Sequence, residues 1–195
     1  MRVLVVYVHP KAQCFNRSVL DLTVKELTAS GHEVQVADLY KEGFQPAMLA
    51  EDYAQFEGKA MPADVLREQD RVEWSDALVF IFPYWWWSIP ALLKGWFDRV
   101  FSMGWAWLDP SKPELSPLKP RKVLVLTSAG ASKDQLAKRG YDSAFDTQLR
   151  VGVFGYCNFS DITIKFLYDV YEGTAEGIPE QRLDEARESV RRFAS

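Results

Sequence analysis

Three stretches of this chain bring together residues that could hold a ligand. The first is Phe82-Pro83-Tyr84-Trp85-Trp86-Trp87-Ser88-Ile89-Pro90, which joins an apolar run to a helical one. Large aromatics in such a connection lie on the surface, where apolar area is a liability. Trp85, Trp86 and Trp87 are adjacent, so they cannot all turn inward, and at least one is left to face a ligand or a partner. The second stretch is His9-Pro10-Lys11-Ala12-Gln13-Cys14-Phe15-Asn16-Arg17. A loop feeding a helix start is an anion site, because free N–H groups and the helix dipole point there. It has no glycine and so matches neither the P-loop nor the dinucleotide fingerprint; taken alone it reads as a helix start with Asn16 as N-cap. The third is Thr127-Ser128-Ala129-Gly130-Ala131-Ser132, small and hydroxylic, offering N–H and O–H donors to a ligand edge, or else a plain turn with a cap. Together they supply an anion cradle, an aromatic wall and a polar rim. That combination suits a flavin, which has a phosphate, a flat ring and ring-edge heteroatoms.

The elements that must position these stretches follow from hydrophobic texture. Val3–Val8, Ala77–Phe82 and Val123–Leu126 are unbroken apolar runs, the mark of strands buried on both faces. Val34–Asp38 and Ile162–Leu167 alternate, as edge strands do. Between them the spacing predicts helices over Asn16–Ser30 with Gly31 at its end, over Pro62–Ser75 with Val65, Leu66 and Val72 inward, and after Ser88 and Pro90. The last of these carries Leu93, Trp96, Phe97, Val100 and Phe101 as a core stripe. Pro179 opens a final helix with Leu183, Ala186 and Val190 inward. Residues 41–61 read as loop and short helix. Residues 102–120, with Pro110, Pro113, Pro117 and Pro120, read as a long functional connection. Alternating strands and helices give a three-layer α/β domain over residues 1–195. Its five-stranded parallel sheet takes the flavodoxin-like order 2-1-3-4-5, with the alternating strands outermost. In that order all three stretches leave the carboxyl ends of neighbouring strands.

Composition excludes several classes. The chain has 195 residues, 48% of them apolar and 26% charged, as a globular domain does. A net charge of -4 leaves no basic stripe for nucleic acid. No segment is long enough to span a bilayer. Two cysteines, Cys14 and Cys157, and two histidines, His9 and His32, form no metal-ligand spacing; with no signal-like start this points to the cytoplasm.

On His9-Pro10 with Cys14-Phe15-Asn16, on Phe82-Pro83 with Trp86 through Pro90-Ala91-Leu93-Lys94-Gly95-Trp96-Phe97-Asp98-Arg99-Val100-Phe101, and on Thr127-Ser128-Ala129-Gly130, the chain resembles the flavodoxin-like NAD(P)H:quinone oxidoreductases, the DT-diaphorase group with its shorter bacterial relatives. The resemblance implies a two-electron NAD(P)H dehydrogenase acting on quinones by a ping-pong route, with FAD, or FMN, as cofactor. His9, Phe15 and Asn16 are then expected to hold the phosphate arm, with Cys14 standing where a serine is usual. Pro83, Tyr84, Trp86 and Trp87, with Trp85 beside them, are expected along the ring. Thr127, Ser128, Ala129 and Gly130 are expected on the pyrimidine side. Trp107 matches an aromatic that reaches the active site across a homodimer interface, and Tyr141 is the nearest stand-in for a missing tyrosine and histidine pair. An ancillary subunit of a potassium-efflux system is the alternative the resemblance allows. A one-electron carrier fits less well, since such carriers are more acidic. A receiver domain fits less well again, since Tyr7-Val8-His9 lacks an acidic cluster.

Overall fold

A computed structural model of the chain describes residues 1–109, 111–159, 161–171 and 179–195; Pro110 of the long connection lies outside them. Five strands, β1 (Arg2–Tyr7), β2 (Glu33–Asp38), β3 (Ala77–Pro83), β4 (Lys122–Ser128) and β5 (Asp161–Leu167), form one parallel sheet. Their order is β2-β1-β3-β4-β5, the flavodoxin-like order expected. The unbroken apolar strands β1, β3 and β4 are the central three, and the alternating β2 and β5 are the edges. Val3–Val6 and Ala77–Ile81 are wholly buried, because each residue meets a helical layer on one face or the other.

Helices α1 (Phe15–Ala29) and α6 (Glu180–Ala194) cover one face; α2 (Ala63–Trp74) and α3 (Ala91–Val100) pack against the core on the other. The α3 stripe Leu93, Trp96, Phe97, Val100 and Phe101 is buried as its spacing predicts. Gly95 is required there: a Cβ would come within 2.1 Å of the Pro46 carbonyl oxygen, so α3 lies directly on the 44–49 segment. On α2, Val65 and Val72 are fully buried, but Leu66 is 40% exposed, and the inward position expected for it is corrected. The helix interior is taken instead by Glu68 and Gln69, both buried and both hydrogen-bonded across to the α3 region. Segment 41–61 contains a short 3₁₀ helix, Ala50–Phe56, as expected.

The region between β4 and β5 is more helical than its sequence suggests. α4 (Lys133–Arg139) begins on a capping box of Ser132 and Gln135 and ends at Gly140, in the left-handed conformation at φ 69°. α5 (Tyr141–Asp146) starts from the same glycine, continues as a π-helix over Thr147–Phe154, and closes with a 3₁₀ turn over Gly155–Cys157. Among the described residues no helix is long and apolar enough to cross a membrane.

Candidate active site

The connections after β1, β3 and β4 meet at the carboxyl rim of the sheet. Tyr84 N donates to the Ser128 carbonyl at 2.7 Å, and Asn16 Nδ2 donates to Ser128 Oγ at 2.8 Å. One serine therefore ties all three predicted stretches together.

The helix start after β1 differs from the expectation. The N-cap of α1 is Cys14, not Asn16: its Sγ accepts from the Arg17 N–H at 3.4 Å. Asn16 sits inside the first turn, wholly buried, with its side chain committed to Ser128. Around Cys14 Sγ lie His9 Nδ1 at 3.1 Å and the Tyr7 hydroxyl at 3.7 Å. Burial works against ionisation of this thiol, but the hydrogen bond shared with His9 and the one from the Arg17 N–H outweigh it and hold its pKa below the ordinary value. Burial, and then the cysteine beside it, push the Tyr7 hydroxyl well up. His9 itself is buried, with Lys11 N donating to its Nδ1 at 3.1 Å and the Trp85 ring 6.0 Å away. Phe15 is buried in the α1 face of the core.

After β3 the chain makes a tight turn. Ser88 N donates to the Trp85 carbonyl at 3.0 Å, and the two central residues, Trp86 at φ 50° and Trp87 at φ 61°, are both left-handed. Turns of this kind normally use Asn and Gly; holding a bulky residue there costs about 1–2 kcal/mol each. Such strain persists where surrounding structure and function demand it. Ser88, expected as the cap of α3, instead closes this turn and reaches Gln148 Oε1 at 3.3 Å; Pro90 occupies the N-cap of α3 without a side-chain bond. Adjacency requires at least one indole to face outward, and all three are exposed in part: Trp85 37%, Trp86 93% and Trp87 42%. Trp87 stacks on Tyr141 at 4.4 Å, which brings Tyr141 to the rim. Among the described residues the N–H groups of Trp86 and Trp87 donate no hydrogen bond.

Tyr84, expected along the ring, lies behind the tryptophans. Its ring lies in the core against Phe145 and Phe166, and its hydroxyl donates to the Tyr141 carbonyl. Burial pushes that hydroxyl up to about 12. Tyr84 therefore supports the wall from behind, with its backbone N–H tied to Ser128. Pro83 ends β3 in the buried layer.

After β4, Thr127, Ser128 and Ala129 are buried, and Ala129 is locked by its N–H to the Leu167 carbonyl. Gly130 has room for more: a Cβ there would meet the Tyr171 ring at an ordinary 3.5 Å, so the protein alone does not demand glycine. Two buried side-chain atoms at this rim, Asn16 Oδ1 and Thr127 Oγ1, find no hydrogen-bond partner among the described residues. Trp107 packs near the Tyr156 ring at 5.8 Å rather than with the rim residues. Cys157 is buried, which pushes its thiol up to about 12, and among the described residues no group of His, Cys, Asp and Glu could hold a metal.

Sequence reasoning missed the left-handed Trp turn, since neither position carries Gly or Asn. It also missed the helical segment that delivers Tyr141, although Ser132-x-x-Gln135 is a readable capping box.

Comparison with known proteins agrees with this geometry. A family model described as a flavodoxin-like fold matches residues 1–192. The "Ribosyldihydronicotinamide dehydrogenase [quinone]" of Rattus norvegicus is 32% identical over 178 residues, covering 81% of this chain and 77% of that one. The structure of the NAD(P)H:quinone oxidoreductase from Methanothermobacter marburgensis superposes with a TM-score of 0.90 at 31% identity, over 99% of this chain and 96% of that one. General stress protein 14 of Treponema denticola, solved in complex with FMN, shares the fold at 24% identity with a TM-score of 0.64, over 99% and 95% of the two chains. The chain belongs to the flavodoxin-like NAD(P)H:quinone oxidoreductase family, a family of enzymes.

Proposed function

We propose that this protein is a flavin-dependent NAD(P)H dehydrogenase that passes two electrons to quinones or related acceptors. The observation that carries the reading is the pair of buried atoms without partners, Asn16 Oδ1 and Thr127 Oγ1, on two of the three converging connections. A buried polar atom left unpaired costs about 1–3 kcal/mol, and a ligand edge offering complementary groups removes that cost. The residues present fit a flavin on this ground. When bound, such a cofactor accepts a hydride from NAD(P)H and reduces the acceptor, one pocket serving donor and acceptor in turn.

The chain's own residues bind and orient. His9 and the first turn of α1 with Phe15 and Asn16 hold the phosphate, by N–H groups at a helix start. Trp85, Trp86 and Trp87 wall the ring, and the two N–H groups of the turn, which donate to no described residue, stand ready to donate to negative charge at its edge. Thr127, Ser128, Ala129 and Gly130 take the pyrimidine side, Gly130 leaving space for close approach. Trp87 and Tyr141, stacked together, and Trp107, contributed across a homodimer interface, bound the acceptor pocket. No side chain is required as a nucleophile. FAD is our reading of the cofactor and FMN its alternative, supported by the FMN complex of the Treponema neighbour. The relatives' names support a dehydrogenase and lend nothing to the transporter-subunit alternative. Low cysteine usage, with Cys14 and Cys157 both free, supports a cytoplasmic site of action.

The test is direct. Purified protein is heated, and the released chromophore is identified by chromatography; the loaded protein is assayed for NADH and NADPH oxidation with menadione. A yellow protein releasing FAD or FMN and oxidising a nicotinamide is expected. A colourless protein that takes up neither flavin overturns the reading.

A further inference from the structure

Cys14 is unlike Cys157. It is half-buried at the N-terminus of the 15-residue helix α1, with the Arg17 N–H donating to its sulfur and His9 Nδ1 and the Tyr7 hydroxyl within hydrogen-bond reach of it. The Sγ to His9 Nδ1 distance of 3.1 Å lets the thiol donate towards the imidazole nitrogen, which also accepts from the Lys11 N–H, and this favours thiolate character at the positive end of a helix dipole. On the same helix turn Asn16, two residues on, is wholly buried and bridges to Ser128, and its Oδ1 accepts from no donor among the described residues.

We propose that Cys14 is a covalent modification site for soft electrophiles, activated alkenes and quinones with an unsubstituted ring carbon among them, and that a group carried on its sulfur excludes flavin phosphate from the α1 helix end. The second half rests on the reading of this connection as the phosphate cradle. The chemistry needs no added oxidant. Sγ attacks the β-carbon of the conjugated carbonyl, a C–S bond forms, the π pair moves towards the carbonyl, and the α-carbon takes a proton from water. The adduct places bulk where the phosphate oxygens would meet the N–H groups. The thiolate, before reaction, competes with phosphate for the same donors. The lowered thiol pKa supports this, and burial of Cys157 at about 12 supplies an internal control.

The probe is N-ethylmaleimide at neutral pH, read by intact mass and peptide mapping on flavin-stripped and flavin-loaded protein. Cys14 is expected to be labelled at least tenfold faster than Cys157, and loading with FAD or FMN is expected to slow Cys14 labelling at least tenfold. Labelled protein is expected to lose flavin uptake, followed by fluorescence quenching. Cys14→Ser, whatever its own affinity, is expected to show uptake unchanged by the reagent. Equal labelling of both cysteines, or labelling of neither, overturns the site. Cys14 labelling that leaves flavin uptake intact overturns the exclusion. Selective labelling in a protein that binds neither flavin, labelled or not, overturns the phosphate reading while the modification site stands.

Discussion

Two buried polar regions of this molecule are built on opposite terms. Beneath α3, Arg99 is 1% exposed and fully used: its Nε and Nη2 donate to Asp52 at 2.9 and 3.0 Å, and its Nη1 donates to Asp64 at 2.6 Å and to the Gln45 carbonyl at 2.8 Å. Beside it Glu68 accepts from Trp96 Nε1 at 3.1 Å and from Arg71 at 3.0 Å. At the carboxyl rim, Asn16 and Thr127 are just as deeply buried, yet each keeps one oxygen unpaired. The difference separates two uses of buried polarity. A satisfied network fixes a segment, here residues 45–64 on α3. An unsatisfied atom reserves binding capacity and is carried at a cost until something arrives.

The largest effect expected from this contrast lies in the Arg99 network. Arg99→Met strands Asp52, which has no exposed surface, as an unpaired buried charge; the loss should be about 3–5 kcal/mol. Urea unfolding reads this as a lower midpoint. Protein that remains folded should bind flavin with unchanged affinity, since the network lies away from the rim connections. A loss below about 1 kcal/mol would erase the distinction between the two regions.

Thr127→Val tests the other side. It removes an unpaired hydroxyl from a wholly buried strand position while keeping the shape, so flavin-free protein should gain about 1 kcal/mol. Flavin affinity should fall about tenfold, equivalent to about 1.4 kcal/mol, by titration against fluorescence quenching. If stability falls and affinity holds, the hydroxyl is structural.

A smaller effect follows pH. The hydrogen bond from Arg99 holds the Asp64 carboxyl below the usual carboxylate range. A depressed folded-state pKa contributes stability that is full above the unfolded value near 3.8 and is lost as pH falls through the lower folded value. The unfolding midpoint should therefore drop below about pH 4, and Asp64→Asn should flatten part of that drop. An unchanged acid profile in Asp64→Asn would remove this carboxylate from the network's account.

The sheet was legible because parallel pairing leaves a compositional trace. Val3–Val8 and Ala77–Phe82 can be unbroken only if both faces are covered, and Ile162–Leu167 alternates because one face of an edge strand meets less of the core. The three rim connections were legible because their residue types are wasteful in loops. What escaped was set by conformation or by distance. Cys14 lies outside the usual capping set, so Asn16 drew the N-cap expectation, although it lies inside the first turn with its side chain bonded to Ser128. The Trp86–Trp87 turn adopts a geometry its residues disfavour. Arg99 meets Asp52 across 47 positions of sequence, which no periodicity reports. Tyr141 is delivered by short helical pieces hinged at Gly140 and strengthened by a π segment, none long enough to show a stripe.

The smallest stability change belongs to the residue whose exposure is greatest. Trp86 buries almost nothing in the protein, so its indole gives the flavin-free fold no hydrophobic reason to exist. Its backbone at φ 50° is a cost that Gly would relieve, while Gly also raises the entropy of the unfolded chain. The two terms oppose each other, and Trp86→Gly should change stability by less than about 1 kcal/mol. Function should respond out of proportion: KM for menadione should rise several-fold through the lost wall, with kcat less affected because the turn and its N–H donors survive. A protein strained at Trp86 for packing alone would lose stability on this substitution and keep its kinetics, and the thermal midpoint measured beside KM and kcat tells the two apart.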